Sequence, residues 1–110
     1  MAYDEDLADR IRVAVQDADG VTEMKMFGGL AFLLNGNMAV AASGQGGLMV
    51  RVEPSDTEAL VQEPGAAPFE MRGRPMDGWL RVEASAVDSD EALDRWVKVG
   101  IAYASSLPPK

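Results

Sequence analysis

Basic side chains in the strand-like part of this 110-residue chain are its best candidates for binding chemistry. A guanidinium can bind a carboxylate or phosphate through two parallel hydrogen bonds, and a lysine adds a compact charge. Strand alternation allows these side chains to lie on the same face of a sheet. If their strands are neighbours, they would form one basic patch on the solvent face. The candidates are Lys25, Arg51, Arg72, Arg74 and Arg81.

A competing interpretation leaves no such patch. Each basic side chain would instead pair with a nearby carboxylate across the strands. The chain has 18 acidic and 10 basic residues, and this excess favours neutralisation. The available carboxylates are Glu23, Glu53, Glu70, Asp77 and Glu83.

Catalytic and metal-binding chemistry has little support in the residue types. The chain contains no cysteine and no histidine, which excludes a thiolate nucleophile, a Ser-His-Asp triad and a Cys-ligated metal site. The acidic stretch "DSDEALD" lacks the central glycine and final glutamate of a calcium loop and fits a helix start better. We therefore expect no enzyme activity, no cofactor and no metal.

The charge balance limits the classes of partner. The formal net charge is −8, so phosphate backbones and anionic lipids are repelled and nucleic-acid binding is disfavoured. No apolar run approaches the roughly 20 residues of a membrane helix. The first residues, "MAYDEDLADRIR", are polar and acidic, unlike a secretory signal. These features predict a cytoplasmic protein without a membrane association.

Hydrophobic periodicity predicts the elements that position the basic side chains. Apolar residues at helical spacing predict a helix over 4–18 and a longer one from about 88 to 106. Between Val21 and Glu53 the period changes to two, which indicates antiparallel strands. A short helix follows Pro54, with Ser55 and Glu58 at capping-box spacing. Two more strands complete a single α+β domain over 1–110, with five or six strands flanked by N- and C-terminal helices.

Glycines mark the turns of this sheet. Asn35-Gly36 lies between two apolar runs, and this dipeptide tolerates the positive φ angles of a type I′ hairpin turn. Gly28-Gly29 also lies between two strand patterns and precedes no helix, so it favours a tight turn or bulge over a phosphate loop. Close backbone approach by a ligand or partner is the alternative. Gly73 and Pro75 mark a break between the last two strands.

Apolar side chains on both faces of the predicted hairpin indicate an interaction surface. Strands 30–34 and 38–42 are apolar on both faces, and helices on one face alone would leave apolar area exposed. This predicts a homodimer or a protein partner. Met24, Met26 and Met38 are expected in the core. Met49 and Trp79 are expected as apolar anchors beside the basic residues.

Several of these segments together resemble a known family. The stretches "TEMKMFGGLAFLLNGNMAVA", "LMVRV", "GRPMDGWLRV" and "WVKVGIAYASSLPPK" resemble the N-terminal domain of the TfoX/Sxy competence-regulator family over nearly the whole chain. The matching motif positions are Lys25, Met26, Phe27, Gly28, Gly29, Arg51, Gly73, Arg74, Pro75, Met76 and Trp79.

The resemblance implies a fold and a regulatory role. It implies an antiparallel α+β domain akin to secretion chaperones, with no catalytic residues to transfer. Two-domain members of the family are positive regulators of DNA-uptake genes, thought to act with the cyclic-AMP receptor protein. The second, helical domain is not in this sequence, so we expect a stand-alone regulatory or protein-interaction domain, with the transcription machinery as a candidate partner. The alternatives are a small-molecule anion-binding module or an enzyme using arginine and carboxylate, and, less favoured, direct DNA binding.

Overall fold

A computed structural model describes residues 4–26, 28–44, 46–71 and 73–109. Within these ranges the chain forms three helices and a six-stranded antiparallel sheet, which confirms the predicted α+β class. The helices are α1 (Glu5–Ala14), α2 (Thr57–Leu60) and α3 (Asp90–Ser105). The strands are β1 (Val21–Met26), β2 (Gly29–Leu34), β3 (Asn37–Ala42), β4 (Leu48–Arg51), β5 (Ala66–Met71) and β6 (Arg74–Val82). Their order across the sheet is β1-β2-β3-β4-β6-β5.

Helix α1 begins where expected and ends early. The Asp4 side chain accepts hydrogen bonds from the backbone nitrogens of Asp6 and Leu7 at 3.0 and 3.2 Å, so it caps the helix start. The helix ends at Ala14, and the prediction that it continues to residue 18 is wrong. Single turns follow instead, and Gly20 (φ +83°) lies in the turn that leads into β1.

Helix α3 has the predicted position and the predicted buried face. Ser89 caps it by accepting a hydrogen bond from the Ala92 backbone nitrogen at 3.1 Å. Lys98 pairs with Asp94 one turn away at 2.7 Å, and Arg95 pairs with Glu63 at 3.0 Å. The buried residues of the helix are Leu93, Trp96, Val97, Gly100 and Ala104.

The predicted capping box before the short helix is wrong. Ser55 makes no cap hydrogen bond, and its hydroxyl instead donates to Glu53 at 3.4 Å. The segment begins as a 3-10 turn over Pro54–Asp56, which displaces the start of α2 to Thr57. The Thr57 hydroxyl accepts a hydrogen bond from the Gly78 backbone nitrogen at 2.9 Å, so this segment is held against β6.

The hairpin turns follow the glycine signals. Asn35 and Gly36 have φ angles of 51° and 86° between β2 and β3, which confirms the predicted turn. Gly28 (φ +76°) lies in the turn from β1 to β2, and Gly73 (φ +79°) lies in the turn from β5 to β6. The residues that precede them, the motif residue Phe27 and the candidate contact residue Arg72, lie outside the described part of the chain.

Helices α1 and α3 cover one face of the sheet. A row of paired residues on this face, Phe32, Val40, Val50 and Leu80, is almost fully buried and packs with Trp96 and Val97 of α3 and Ile11 of α1. Burial of these apolar side chains is the main stabilising contribution to the fold.

The opposite face, here called the open face, carries a second row. Its paired positions are Met24, Ala31, Ala41, Met49 and Arg81. Met24 is 51% exposed, so the prediction that it belongs to the core is wrong: it lies on an edge strand, on the face away from the helices. Met38 is half-buried, and the side chain of Met26 lies outside what the structure describes.

Candidate functional site

Two of the predicted contact residues lie directly opposite each other. Arg51 ends β4 and pairs with Trp79 of β6, and the neighbouring pair on the same face is Met49 with Arg81. Both Arg51 and Trp79 are half-buried. The register therefore brings together Arg51, Trp79 and Met49 among the predicted site residues.

A third residue completes a cluster that the sequence analysis missed. The Arg51 guanidinium lies over the Trp79 ring at 5.3 Å and over the Tyr103 ring at 5.5 Å, measured to the ring centroids. Each such cation–π contact contributes about 0.5–1 kcal/mol at an exposed site. Tyr103 belongs to α3, so the guanidinium lies at the margin between the helix layer and the open face. We call Arg51, Trp79 and Tyr103 the aromatic–arginine cluster.

Arg51 has no carboxylate partner among the described residues. The ion pairs there join Arg10 with Asp90, Arg12 with Asp9 and Glu23, Arg95 with Glu63, and Lys98 with Asp94. Glu23, a predicted neutraliser of the sheet's basic residues, is therefore taken by α1. Among the described residues the neutralising carboxylate predicted for Arg51 is not found, whereas Arg81 is engaged within the protein. The side chain of Asp77, another predicted neutraliser, lies outside what the structure describes.

The predicted single basic patch is also wrong, because the sheet separates its members. Lys25 pairs with Leu30, whose side chain lies in the core under the helices, so Lys25 is on the opposite face from Arg51. It is also three strands away, about 14 Å at the usual strand spacing. Arg74 is exposed at the far end of the β5–β6 hairpin, five residues from Trp79 or up to about 17 Å. Arg72 lies outside the described residues.

Charge is distributed unequally between the two layers. The first turns of α1 and α3 are acidic, with Glu5, Asp6, Asp90 and Glu91. No acidic residue occupies the open-face row or the Arg51–Trp79 pair. At these described paired positions the open face is apolar and basic.

The Arg12–Glu23 pair ties α1 to the edge strand. Arg12 donates to the two carboxylate oxygens at 2.7 and 2.9 Å. These hydrogen bonds lower the pKa of Glu23 below its ordinary value. A group with a lowered folded-state pKa stabilises the fold above its unfolded pKa, and this contribution is lost as the pH falls through the folded value.

We expect Glu23→Gln to lower the melting temperature at pH 7 and to make less difference at an acid pH below the lowered folded-state pKa of Glu23, because the wild-type carboxyl is then protonated as well. Thermal unfolding across this pH range measures the effect. Glu58→Gln, which alters an exposed carboxyl outside the ion pairs named above, is the control. An equal destabilisation by Glu23→Gln at both pH values would contradict the ion-pair explanation.

Two surface grooves lie beside α1 and not at the aromatic–arginine cluster. One, of about 650 Å³, runs between α1 and α3 over Ala14, Leu93 and Val97. The other, of about 610 Å³, runs between α1 and β1. Arg10 and Lys98 at the first groove already pair with carboxylates of α3.

The described residues contain neither a cluster suited to a metal ion nor a helix suited to a membrane. No group of three or more carboxylates is arranged to hold a metal ion there. No helix in the described ranges has both the length and the apolar character required to cross a bilayer.

The chain matches a known family model. The family model of the TfoX N-terminal domain matches residues 14–104. The matched segment contains the whole sheet and nearly all of α3. No curated protein and no solved structure matches the chain, so the expected likeness to secretion chaperones stays a prediction.

Proposed function

Since the chain belongs to the TfoX N-terminal domain family, we propose that it is a small cytoplasmic, non-enzymatic regulatory domain of the competence-regulator type. It acts by binding a protein, with the transcription machinery as the candidate source of that partner. It does so as a homodimer. The contact surface is the aromatic–arginine cluster with the adjoining open face of the sheet.

One observation carries this proposal: Arg51 contacts two aromatic rings and has no carboxylate partner among the residues that the structure describes. Tryptophan, tyrosine and arginine are the residues that most often dominate the binding energy of protein interfaces. Here the three lie together, with the guanidinium 5.3 and 5.5 Å from the two ring centroids. Stacking restricts the guanidinium before any partner arrives, so less conformational entropy is lost on binding.

The surroundings define the chemistry of the partner. Met49 lies two residues before Arg51 on β4 and on the same face of the sheet, and it is half-buried. Methionine adapts its shape to different apolar surfaces. A partner segment that inserts an apolar side chain beside Met49 and a carboxylate at Arg51 would satisfy both. The partner is therefore an apolar segment with an acidic side chain.

The test compares four purified baits in lysate of the source organism. We expect Arg51→Ala and Trp79→Ala to lose a partner that the wild type captures, and to weaken its affinity about tenfold or more when the purified partner is titrated. Arg74→Ala removes the same charge at an exposed position outside the cluster and should bind normally. The melting temperatures of the baits must first be shown to agree within a few degrees.

Two results would contradict the proposal. Equal weakening by Arg51→Ala and Arg74→Ala would indicate that general positive charge, and not the cluster, mediates binding. If the wild-type and Trp79→Ala baits captured the same proteins, the proposed protein-partner function would be refuted.

The second candidate is a binding site for a small anion, and the Arg51 guanidinium favours it because no carboxylate in the described part of the chain pairs with it. A small carboxylate or phosphate would accept two hydrogen bonds from Arg51 while lying on the ring faces. Neither of the two grooves described above contains Arg51. Saturable quenching of tryptophan fluorescence by millimolar phosphate or citrate, abolished in Trp79→Phe, would support it.

A further inference from the structure

The two edges of the sheet differ in their capacity to pair with another strand. Strand β5 at one edge carries Pro68, which has no backbone N–H, and its pairing with β6 shifts register between Pro68 and Glu70. Strand β1 at the other edge has six residues, no proline, no glycine and an unshifted register with β2. An edge of this kind presents unpaired backbone donors and acceptors to another strand.

We propose that two copies of this chain pair through β1, antiparallel, about a two-fold axis perpendicular to the sheet at Met24. The two six-stranded sheets then join into one continuous sheet. This inference deepens the homodimer of the proposed function by assigning its interface, and it leaves the aromatic–arginine cluster free, three strands away.

Symmetry and alternation leave few registers. Directly opposite residues of antiparallel strands lie on the same face, and a perpendicular two-fold axis keeps each face in place. The two-fold axis must therefore pass beside a residue of β1 that lies directly opposite the same residue of the second copy. An axis at Glu23 places two carboxylates together, and one at Lys25 places two ammonium groups together, which is unfavourable. Axes nearer either strand end shorten the overlap.

The axis at Met24 is the register that turns these charges into pairs. Glu23 then lies opposite the partner's Lys25, and Lys25 lies opposite the partner's Glu23, so two cross-strand ion pairs form. Within the described residues Lys25 has no ion pair of its own, so it is available for this contact. Glu23 keeps its two hydrogen bonds from Arg12 and has further acceptor capacity for an ammonium group.

Exposure of Met24 supports the same register independently. This side chain is 51% exposed although it is large and apolar. In the proposed dimer it lies on the axis and packs against the partner's Met24 on the open face. Pairing would therefore bury apolar area and align the charges at the same time.

Cysteine cross-linking tests the register directly, because the chain contains no native cysteine. The Met24→Cys variant is expected to form a disulfide-linked dimer under mild oxidation, since Cα atoms of opposite strand residues lie about 4.5–5.5 Å apart. Thr22→Cys on the same strand and face is the matched control. Its two thiols would be four residues apart along the strands, about 13 Å, and should not cross-link. Cross-linking of Thr22→Cys as efficiently as Met24→Cys would overturn the register.

A charge reversal tests the interface in solution. Light scattering and sedimentation should show a wild-type dimer, and Lys25→Glu should raise its dissociation constant at least about tenfold, because each Glu23 then faces a second carboxylate. Arg74→Glu changes the net charge equally at the opposite side of the sheet and should leave the dimer intact. A monomeric wild type at roughly 100 μM, or a dimer equally sensitive to both reversals, would overturn the proposal.

The outcomes separate this inference from the contact function of the cluster. A monomeric wild type that still loses its partner on Arg51→Ala would remove the edge dimer and leave the proposed contact surface. If Met24→Cys cross-linked the dimer while Arg51→Ala bound every partner normally, the β1 edge dimer would be supported and the contact role of the aromatic–arginine cluster would be refuted.

Discussion

Replacing Gly100 by alanine is expected to lower the melting temperature by about 10 °C. A Cβ atom at this position would overlap the Ala39 carbonyl oxygen and lie 2.7 Å from Val40 Cγ1 and 3.0 Å from the Ala39 carbonyl carbon. Most of these atoms belong to the backbone of β3, so α3 must move away from the sheet. Overpacking of this kind costs about 3 kcal/mol, and the higher helix propensity of alanine returns about 1 kcal/mol. The net loss is about 2 kcal/mol.

A matched substitution separates steric overlap from a general effect on α3. Ala102 lies two residues further along the helix and is exposed, so Ala102→Met enlarges a side chain without entering the interface. We expect Ala102→Met to unfold within about 2 °C of the wild type, as is usual for surface substitutions. If Gly100→Ala melted with the wild type, the close contact of α3 with β3 would be refuted.

The position of α3 also explains why the aromatic–arginine cluster was only half predicted. Arg51 and Trp79 stand out in sequence as a basic and an aromatic residue on strand patterns, and the pairing of β4 with β6 brings them together. Tyr103 is beside the apolar stripe of α3 and not within it. Its contact with Arg51 depends on how closely the helix lies on β3 and β4, which Gly100 permits and no local pattern reveals.

The misplacement of Lys25 has a different cause. Within one strand, the alternation of side chains between the two faces is reliable, and it correctly placed Lys25 and Met24 on opposite faces. Deciding whether residues of different strands share a face requires the register across the whole sheet. One extra residue in a strand moves every following side chain to the other face. The pairing of β2 with β3 shifts between Phe32 and Leu33, and that of β5 with β6 shifts beyond Pro68. The β2–β3 irregularity has no glycine or proline at it, whereas the β5–β6 irregularity lies at Pro68 and Gly78 (φ +88°), residues that indicate a break but not the register beyond it.

Strand order has the larger consequence for function. The chain returns from β4 to β6 and places β5 outside it, so β1 and the Arg51 region are at different parts of the sheet. The basic residues that the sequence grouped as one patch serve two separate surfaces. Lys25 belongs to the proposed dimer edge, and Arg51 belongs to the proposed contact surface. A dimer formed at β1 presents two copies of that surface, which would raise its avidity for a repeated or dimeric partner.

The Gly28-Gly29 pair is expected to show unequal costs of substitution, because the two glycines are needed for different reasons. A Cβ atom at Gly29 would overlap the Ala42 carbonyl oxygen and lie 3.1 Å from the Gly44 nitrogen, so β2 could no longer approach the end of β3. Gly29→Ala should therefore cost about 2–3 kcal/mol. Gly28 has a positive φ of 76° and nothing within 4 Å of its Cβ position. Gly28→Ala should cost only the backbone strain, about 1 kcal/mol.

Thermal unfolding and partner binding, measured on the same variants, decide what the glycine pair does. Gly28→Asn should recover most of the loss seen in Gly28→Ala, because asparagine tolerates the left-handed conformation. Gly29→Asn should recover none, since the clash is with backbone atoms. If both glycines serve the fold alone, binding by folded Gly28→Asn equals that of the wild type. Normal stability with lost binding would instead assign the exposed Gly28 turn to the contact surface, because only a partner could then occupy the space beside it.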